Sequence, residues 1–302
     1  MPVSLTSSEF YIRNDSITLI QGADSLNVLD RMVSTKITEI QDLSRKDALF
    51  CDFNGRISDV ALIHSISGKI LISSSNSESE ETRRKLVDGA SWDEDCEIFV
   101  ADEAIFRITI FPTDFAEMSK LFGVEMSGLP HDSLVEKDDH LFVKCHSQTL
   151  EFFDMLVKHD NMDNVLSLLR DSDFVEMKPD RWDHFRIMLG IREICDSIGN
   201  LPDEMGWGSL VSNDKGCYPG QEIHARLESR GRISKALCRL TGNSPVELGK
   251  HKVPGFGTIS ISSATYLDGE SLCIALIRLK NDHPNTIEIQ GNEFTIEVMG
   301  YP

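Results

Sequence analysis

Lys215-Gly216-Cys217-Tyr218-Pro219-Gly220-Gln221-Glu222 runs directly into a helical stretch, Gln221 to Ser229. Gly216 and Gly220 bracket Cys217-Tyr218-Pro219 and can take the positive φ angles of a sharp turn, where the backbone can approach a ligand closely. Glu222 and Arg226 stand four residues apart, the spacing at which opposite charges pair on one helix face. Cys217 is placed just before a helix N-terminus. The partial positive charge there, with Lys215 two residues away, favours the thiolate that acts as nucleophile or soft-metal ligand. The competing reading makes Cys217 a small apolar residue packed in a tight turn. No combination of histidine, aspartate and cysteine marks a hydrolase triad, and His224 reads equally well as a solvent-facing helix residue or as a base.

Upstream, Ser16 to Gln21 predicts a strand. Ala23 to Val33 predicts a helix with Leu26, Leu29, Met32 and Val33 on one stripe. Ala48–Phe53 and Ile57–Ile66 flank Asn54-Gly55, a dipeptide suited to a tight hairpin, and Lys69–Ser73 continues that sheet. The tract Ser73-Ser74-Ser75-Asn76-Ser77-Glu78 is expected to cap a helix over 80–87 through serine oxygens. The same grammar then returns: strand 104–111, helix 114–122, strands 141–145 and 150–156, helix 162–169 and strand 174–177, the split βαβ plan. The polar connection 123–139 reads as a surface loop. From about Thr241 only strands remain. Gly257–Ser263 and Ser271–Leu279 alternate about Asp268-Gly269, and Thr286–Gln290 and Glu293–Val298 alternate about Gly291-Asn292. The second pair places Ile287 and Ile289 on one face and Phe294, Ile296 and Val298 on another. The fold class is therefore α+β, with an α+β module over residues 1–240 and a small β-barrel or sandwich over 241–302.

Composition narrows the function classes. A chain of 302 residues that is 40% hydrophobic can form two or three packed modules. No apolar run is long enough for a membrane span, and the first residues lack the pattern of a signal peptide, so the expectation is a soluble cytoplasmic protein. Seven cysteines without any C-x-x-C pair argue for reduced thiols and against a zinc ribbon. With 49 acidic residues against 30 basic ones, a net charge of −19 disfavours direct nucleic-acid binding. Arg226, Arg230, Arg232, Lys235 and Arg239 form either a local basic groove or a solvated helix face.

The octapeptide at 215–222, followed by Arg226 and Gly231, resembles the K-G-C-Y-x-G-Q-E signature of the YgfZ family, which includes iron–sulfur assembly factors. Leu19 to Ser25 resembles that family's early strand-to-helix turn, Gly55-Arg56-Ile57-Ser58-Asp59 its G-R-I hairpin, and Arg186 through Gly190-Ile191 its R-x-E-x-G-I helix, with Met188 at the glutamate position. The family is similar to the T-protein of glycine cleavage. The resemblance implies two interwoven ferredoxin-like, split βαβ modules around a central hole that binds tetrahydrofolate, plus a C-terminal β-barrel.

The resemblance further implies a folate-binding protein that supports iron–sulfur cluster assembly or maintenance, touching transfer RNA only through the enzymes that modify it. Cys217 is the implied reactive group, and Asp59 stands where T-proteins carry an aspartate that assists folate N5 chemistry. Asp59 also reads as an ordinary turn or edge residue. Lys215 and Arg226 would hold anionic groups of the cofactor, Arg186 would belong to the cofactor-binding set, Gln221 and Glu222 would orient the loop, and Tyr218 would either stack on a flat ring or pack in the turn. A true tetrahydrofolate-dependent aminomethyl or methyl transferase is the alternative, and a bare adaptor scaffold is a third class. The expected partners are folate and iron–sulfur client or assembly proteins. No metal site, membrane or obligate oligomer is expected, and the protein is read as a monomer.

Overall fold

The computed structural model describes residues 5–147, 150–230, 235–278 and 284–300, without the side chain of Arg230. The expectations placed on Gly231 and Arg232 therefore lie outside the described residues. Two compact units are present. The first comprises Met1–Phe50, Asp59–Lys178 and Gly216–Tyr218, and the second Cys51–Ser58, Pro179–Lys215 and Pro219–Pro302.

The first unit begins with β1 (Glu9–Ile12), β2 (Asp15–Gln21), α1 (Ser25–Met32), β3 (Ser44–Cys51), β4 (Ile57–Ile66), β5 (Lys69–Ser75), α2 (Ser79–Gly89) and β6 (Glu97–Val100). It continues with β7 (Ile105–Phe111), α3 (Phe115–Phe122), β8 (Leu134–Lys137), β9 (His140–His146), β10 (Glu151–Lys158), α4 (Met162–Asp171) and β11 (Val175–Glu176). One sheet has the order β3-β4-β5-β2-β6 and the other β11-β1-β7-β10-β9-β8. Alternation decides the faces. Ile20, Ile63, Ile70 and Ile72 turn toward Leu29 of α1 and Leu86 of α2. In the other sheet Ile108, Ile110, Phe153 and Met155 bury against Met118 of α3 and Val165 of α4. Each such side chain contributes about 1.5–3 kcal/mol on leaving water. The opposite faces meet through Ile17, Leu71 and Leu156.

Three local expectations change. Within 123–139, Leu134–Lys137 is a strand paired with β9, because Leu134 finds a buried seat although four residues are too few to show a period. The chain's first strand, β1, was not expected. It pairs parallel with β11 and antiparallel with β7, closing the gap between them. No serine side chain caps α2. Ser79 Oγ instead donates to the Asn76 carbonyl and Ser75 Oγ bonds Ser77 Oγ, while Glu80 and Glu81 place acids in the first turn.

The second unit contains α5 (Pro179–Leu189), α6 (Ile194–Ser197), α7 (Gln221–Arg230), β12 (Ala236–Gly242), β13 (Gly249–Val253), β14 (Gly257–Leu267), β15 (Glu270–Ile277), β16 (Thr286–Ile289) and β17 (Asn292–Val298). The strands make one sheet, β13-β14-β15-β12-β17-β16. Its edge strands β13 and β16 curl close to each other, so the C-terminal sheet is a half-barrel around Cys238, Ile261, Cys273, Ile287 and Phe294. Asp268 and Gly269 both take positive φ, as the two-residue turn between β14 and β15 requires. The last hairpin turns one residue earlier than its dipeptide suggested, at Gln290-Gly291. That register pairs Ile287 with Phe294 on the same face, correcting the two-face reading. Strands also start earlier than Thr241, so Arg239 stands on β12 and the basic run is not one helix face.

Candidate functional site

In the second unit the hairpin at 51–58 and the start of α7, remote in sequence, are clamped together. Asp52 shapes the turn: its Oδ1 accepts from the Asn54 and Arg56 amides at 2.9 and 2.8 Å, and its own N–H donates to the Arg56 carbonyl at 2.8 Å. Only Gly55 takes positive φ there, so the loop is Phe53-Asn54-Gly55, a turn closed by a left-handed residue. Gly220 then lies against it. A Cβ on Gly220 would stand 2.5 Å from Gly55 Cα and 2.7 Å from the Asp52 carbonyl oxygen. Position 220 is glycine because two backbones touch. His224, one turn into α7, is buried and its Nε2 donates to the Gly55 carbonyl at 2.8 Å. It is neither the solvent-facing residue nor the base that the sequence left open. On the far side, Arg56 donates to the Gly199 carbonyl at 2.7 Å and the Ile57 amide to the Asn200 carbonyl at 2.9 Å.

Of the motif's side chains, Cys217 is exposed, which removes the packed-turn alternative for it. Tyr218 is buried, the packed reading rather than a stacking platform. Gln221 is half-buried, and Glu222 and Arg226 are exposed and 3.7 Å apart, a loose pair worth little in water. Lys215 is half-buried and partnered. Gly216–Tyr218 group with the first unit, whereas Lys215 and the residues from Pro219 onward group with the second. All seven cysteines are free thiols.

Asp59, in the first unit, is 0% exposed. Its Oδ2 accepts from Thr82 Oγ1 at 2.6 Å, and its Oδ1 from the Val60 and Ser75 amides at 2.8 and 3.3 Å. Burial pushes the carboxyl up to about 6, against the pull of those three donors. As placed, it ties β4 to β5 and to α2 and presents no oxygen to a ligand.

Arg186, in the second unit, is likewise enclosed, at 3% exposure. Its Nε donates to Asp183 at 2.7 Å, Nη1 to Asp196 at 3.0 Å and Nη2 to Ser263 Oγ at 2.9 Å. Ser262 and Ser263 complete the shell of Asp196, each donating at 2.6 Å. The guanidinium joins α5, α6 and β14. Met188 contributes its carbonyl to Arg239.

One buried cluster escaped the sequence reading. In the first unit Arg107 bridges Asp15 and Asp154, and Asp154 also accepts from Thr109 Oγ1 at 2.7 Å. Arg45 reaches Asp132 at 2.7 Å and donates to Cys145 Sγ at 2.9 Å. Burial alone would raise the Asp154 carboxyl, but the charges of Arg107 and Arg45 bring it down to about 2. Burial, joined by the same two cations, holds His64 down to about 3, a neutral imidazole. The available signal was a charge inside an apolar run, as in Ile105-Phe106-Arg107-Ile108 and Phe152-Phe153-Asp154-Met155. Among the described residues, no three His, Cys, Asp or Glu side chains gather as a metal site needs. No described helix is long and apolar enough to cross a membrane.

No family model matches the chain. In three dimensions it is similar to the glycine cleavage system aminomethyltransferase T from Bartonella henselae, with a TM-score of 0.83 over 98% of this chain and 86% of that one at 12% identity. The chain therefore has the fold of that aminomethyltransferase. In sequence it is 33% identical over 103 residues to an Arabidopsis thaliana protein named "Putative transferase At1g60990, chloroplastic". That match takes in 33% of this chain and 23% of the relative, so it spans under a quarter of the curated protein.

Proposed function

We propose that this chain is a folate-binding protein of the YgfZ type that supports iron–sulfur cluster assembly or maintenance, with Cys217 as its reactive thiol. The observation that carries the reading is the clamp. Two motifs singled out by the resemblance, Gly55-Arg56-Ile57 and Gly220-Gln221-Glu222, lie about 165 residues apart and meet through a glycine-to-glycine contact. They do so within a fold similar to an aminomethyltransferase T. The interwoven module plan with its folate site belongs to the same proposal.

The side chains fit tetrahydrofolate in part. Arg226, exposed and only loosely engaged, suits the anionic glutamate tail, and Lys215 adds a second cation. Asp59 and Arg186 have their polar atoms committed inside the protein, so their part is to position α2 and α5. No one-carbon step is assigned to either. The transferase reading draws on the fold and on the name of the Arabidopsis relative. It needs a carboxylate at folate N5, and Asp59 would have to open away from Thr82 to supply one.

Calorimetric titration with tetrahydrofolate and 5-formyltetrahydrofolate, on wild type and Arg226→Ala, tests the cofactor. Micromolar binding weakened about tenfold by the variant supports the reading. Absence of heat and of thermal stabilisation removes folate and moves the adaptor reading forward. Support of iron–sulfur enzymes by a Cys217→Ala chain, compared with wild type, tests the thiol, and unchanged support would end its role.

A further inference from the structure

We propose that the outer edge of β6 is a docking strand that receives an extended, basic segment of a partner protein. β6 closes one end of the five-stranded sheet and, among the described residues, pairs only with β2, from Gln21↔Glu97 to Thr18↔Val100. Alternate N–H and C=O groups of its other edge therefore point outward, the arrangement on which an added strand builds its ladder. Cross-strand partners share a face. Phe99 lies beside Leu19 and Val100 beside Thr18, at 43% and 68% exposure, so an added strand would find apolar contact on both faces. Trp92, 98% exposed, precedes the strand by five residues. Such apolar exposure around an open edge is a liability unless something binds there.

Charge selects the occupant. Residues 93–103 include Asp93, Glu94, Asp95, Glu97, Asp102 and Glu103 and no base. Arg31 answers Glu94 at 2.7 Å and Arg83 answers Asp102 at 2.5 Å. No cation reaches Asp93, Asp95, Glu97 or Glu103 among the described residues. A second copy of this edge would bring like charges face to face, so the acids oppose self-pairing while they attract lysine or arginine at alternate positions.

The test uses a capped hexapeptide alternating lysine and valine, with a glutamate–valine peptide as control, titrated into the full chain. Binding of the basic peptide alone is expected, falling roughly tenfold between about 0.02 and 0.3 M salt. Amide exchange at Ile98 and Val100, whose N–H groups point away from β2, should slow in its presence. The double variant Asp93→Lys, Glu97→Lys changes only exposed side chains and should lose at least about tenfold for the basic peptide while gaining for the acidic one. Equal affinity for both peptides, no protection at Ile98 and Val100, or binding unchanged in the double variant would overturn the proposal. A dimer in sedimentation equilibrium whose exchange protection maps to β6 would overturn it in favour of a second copy.

Discussion

Replacing Asp59 with Asn should make the protein more stable at neutral pH, although it removes a carboxylate held by three donors. The carboxyl's ordinary value is 3.8, and burial raises it to about 6. Between those values the native state keeps a proton that the unfolded chain has released, so Asp59's contribution is fully present below about pH 4 and is lost as pH rises through about 6. A shift of about two units at about 1.4 kcal/mol each makes the loss on the order of 3 kcal/mol above pH 7. Asparagine keeps the shape. Its oxygen can accept from the Val60 and Ser75 amides, and its amide nitrogen can donate to Thr82 Oγ1, reversing the 2.6 Å bond now donated by threonine. Urea unfolding of both chains from pH 4 to 8 isolates this group, because every other titration is common to the pair. The expected stability difference is near zero at pH 4 and grows to about 3 kcal/mol by pH 7. A flat difference, or an Asn variant less stable at pH 7, would show that the ionised carboxylate is the preferred native form and refute the argument.

His64 has the opposite sign: its depressed value of about 3 means that its contribution is present above the ordinary imidazole range and is lost as pH falls. Its ring should show no NMR titration between pH 7 and 4. Gly220→Ala forces a Cβ to 2.5 Å from Gly55 Cα at φ +86°, and should cost about 1–3 kcal/mol or more and speed amide exchange at 51–58. Arg186→Ala leaves Asp196 buried without its cation and should cost about 3–5 kcal/mol in calorimetric stability. Cys217→Ser, at an exposed position, should stay within about 0.5 kcal/mol of wild type, so any loss of iron–sulfur support in that variant is chemical rather than structural.

Local rules carried the elements whose information is local. The short apolar runs in Ile105–Phe111 and Phe152–Leu156, the helical stripe of Leu26 and Leu29, and Asp268-Gly269 at a hairpin are each set by a few neighbouring residues, and each forms the element expected of it. The glycines at 55 and 220 were legible as turn residues, and the motifs around them as a resemblance. That they touch was not legible, because nothing in either segment specifies a partner about 165 residues away. β1 and β8 were missed for a related reason: four residues are too few for a period, and only the neighbouring strand makes them strands. Burial was the larger gap. The resemblance implied cofactor roles for Asp59 and Arg186, and His224 read as either a solvent-facing residue or a base, yet the fold encloses all three and uses their donors and acceptors to join elements. By itself the sequence determined the α+β plan, the Asp268-Gly269 turn and the glycine-bracketed bend of the 215–222 segment, since these follow from side-chain period and backbone permissiveness. Which polar groups remain free for a ligand was decided only by tertiary structure, because desolvation and hydrogen-bond satisfaction depend on residues that meet only when the chain is folded.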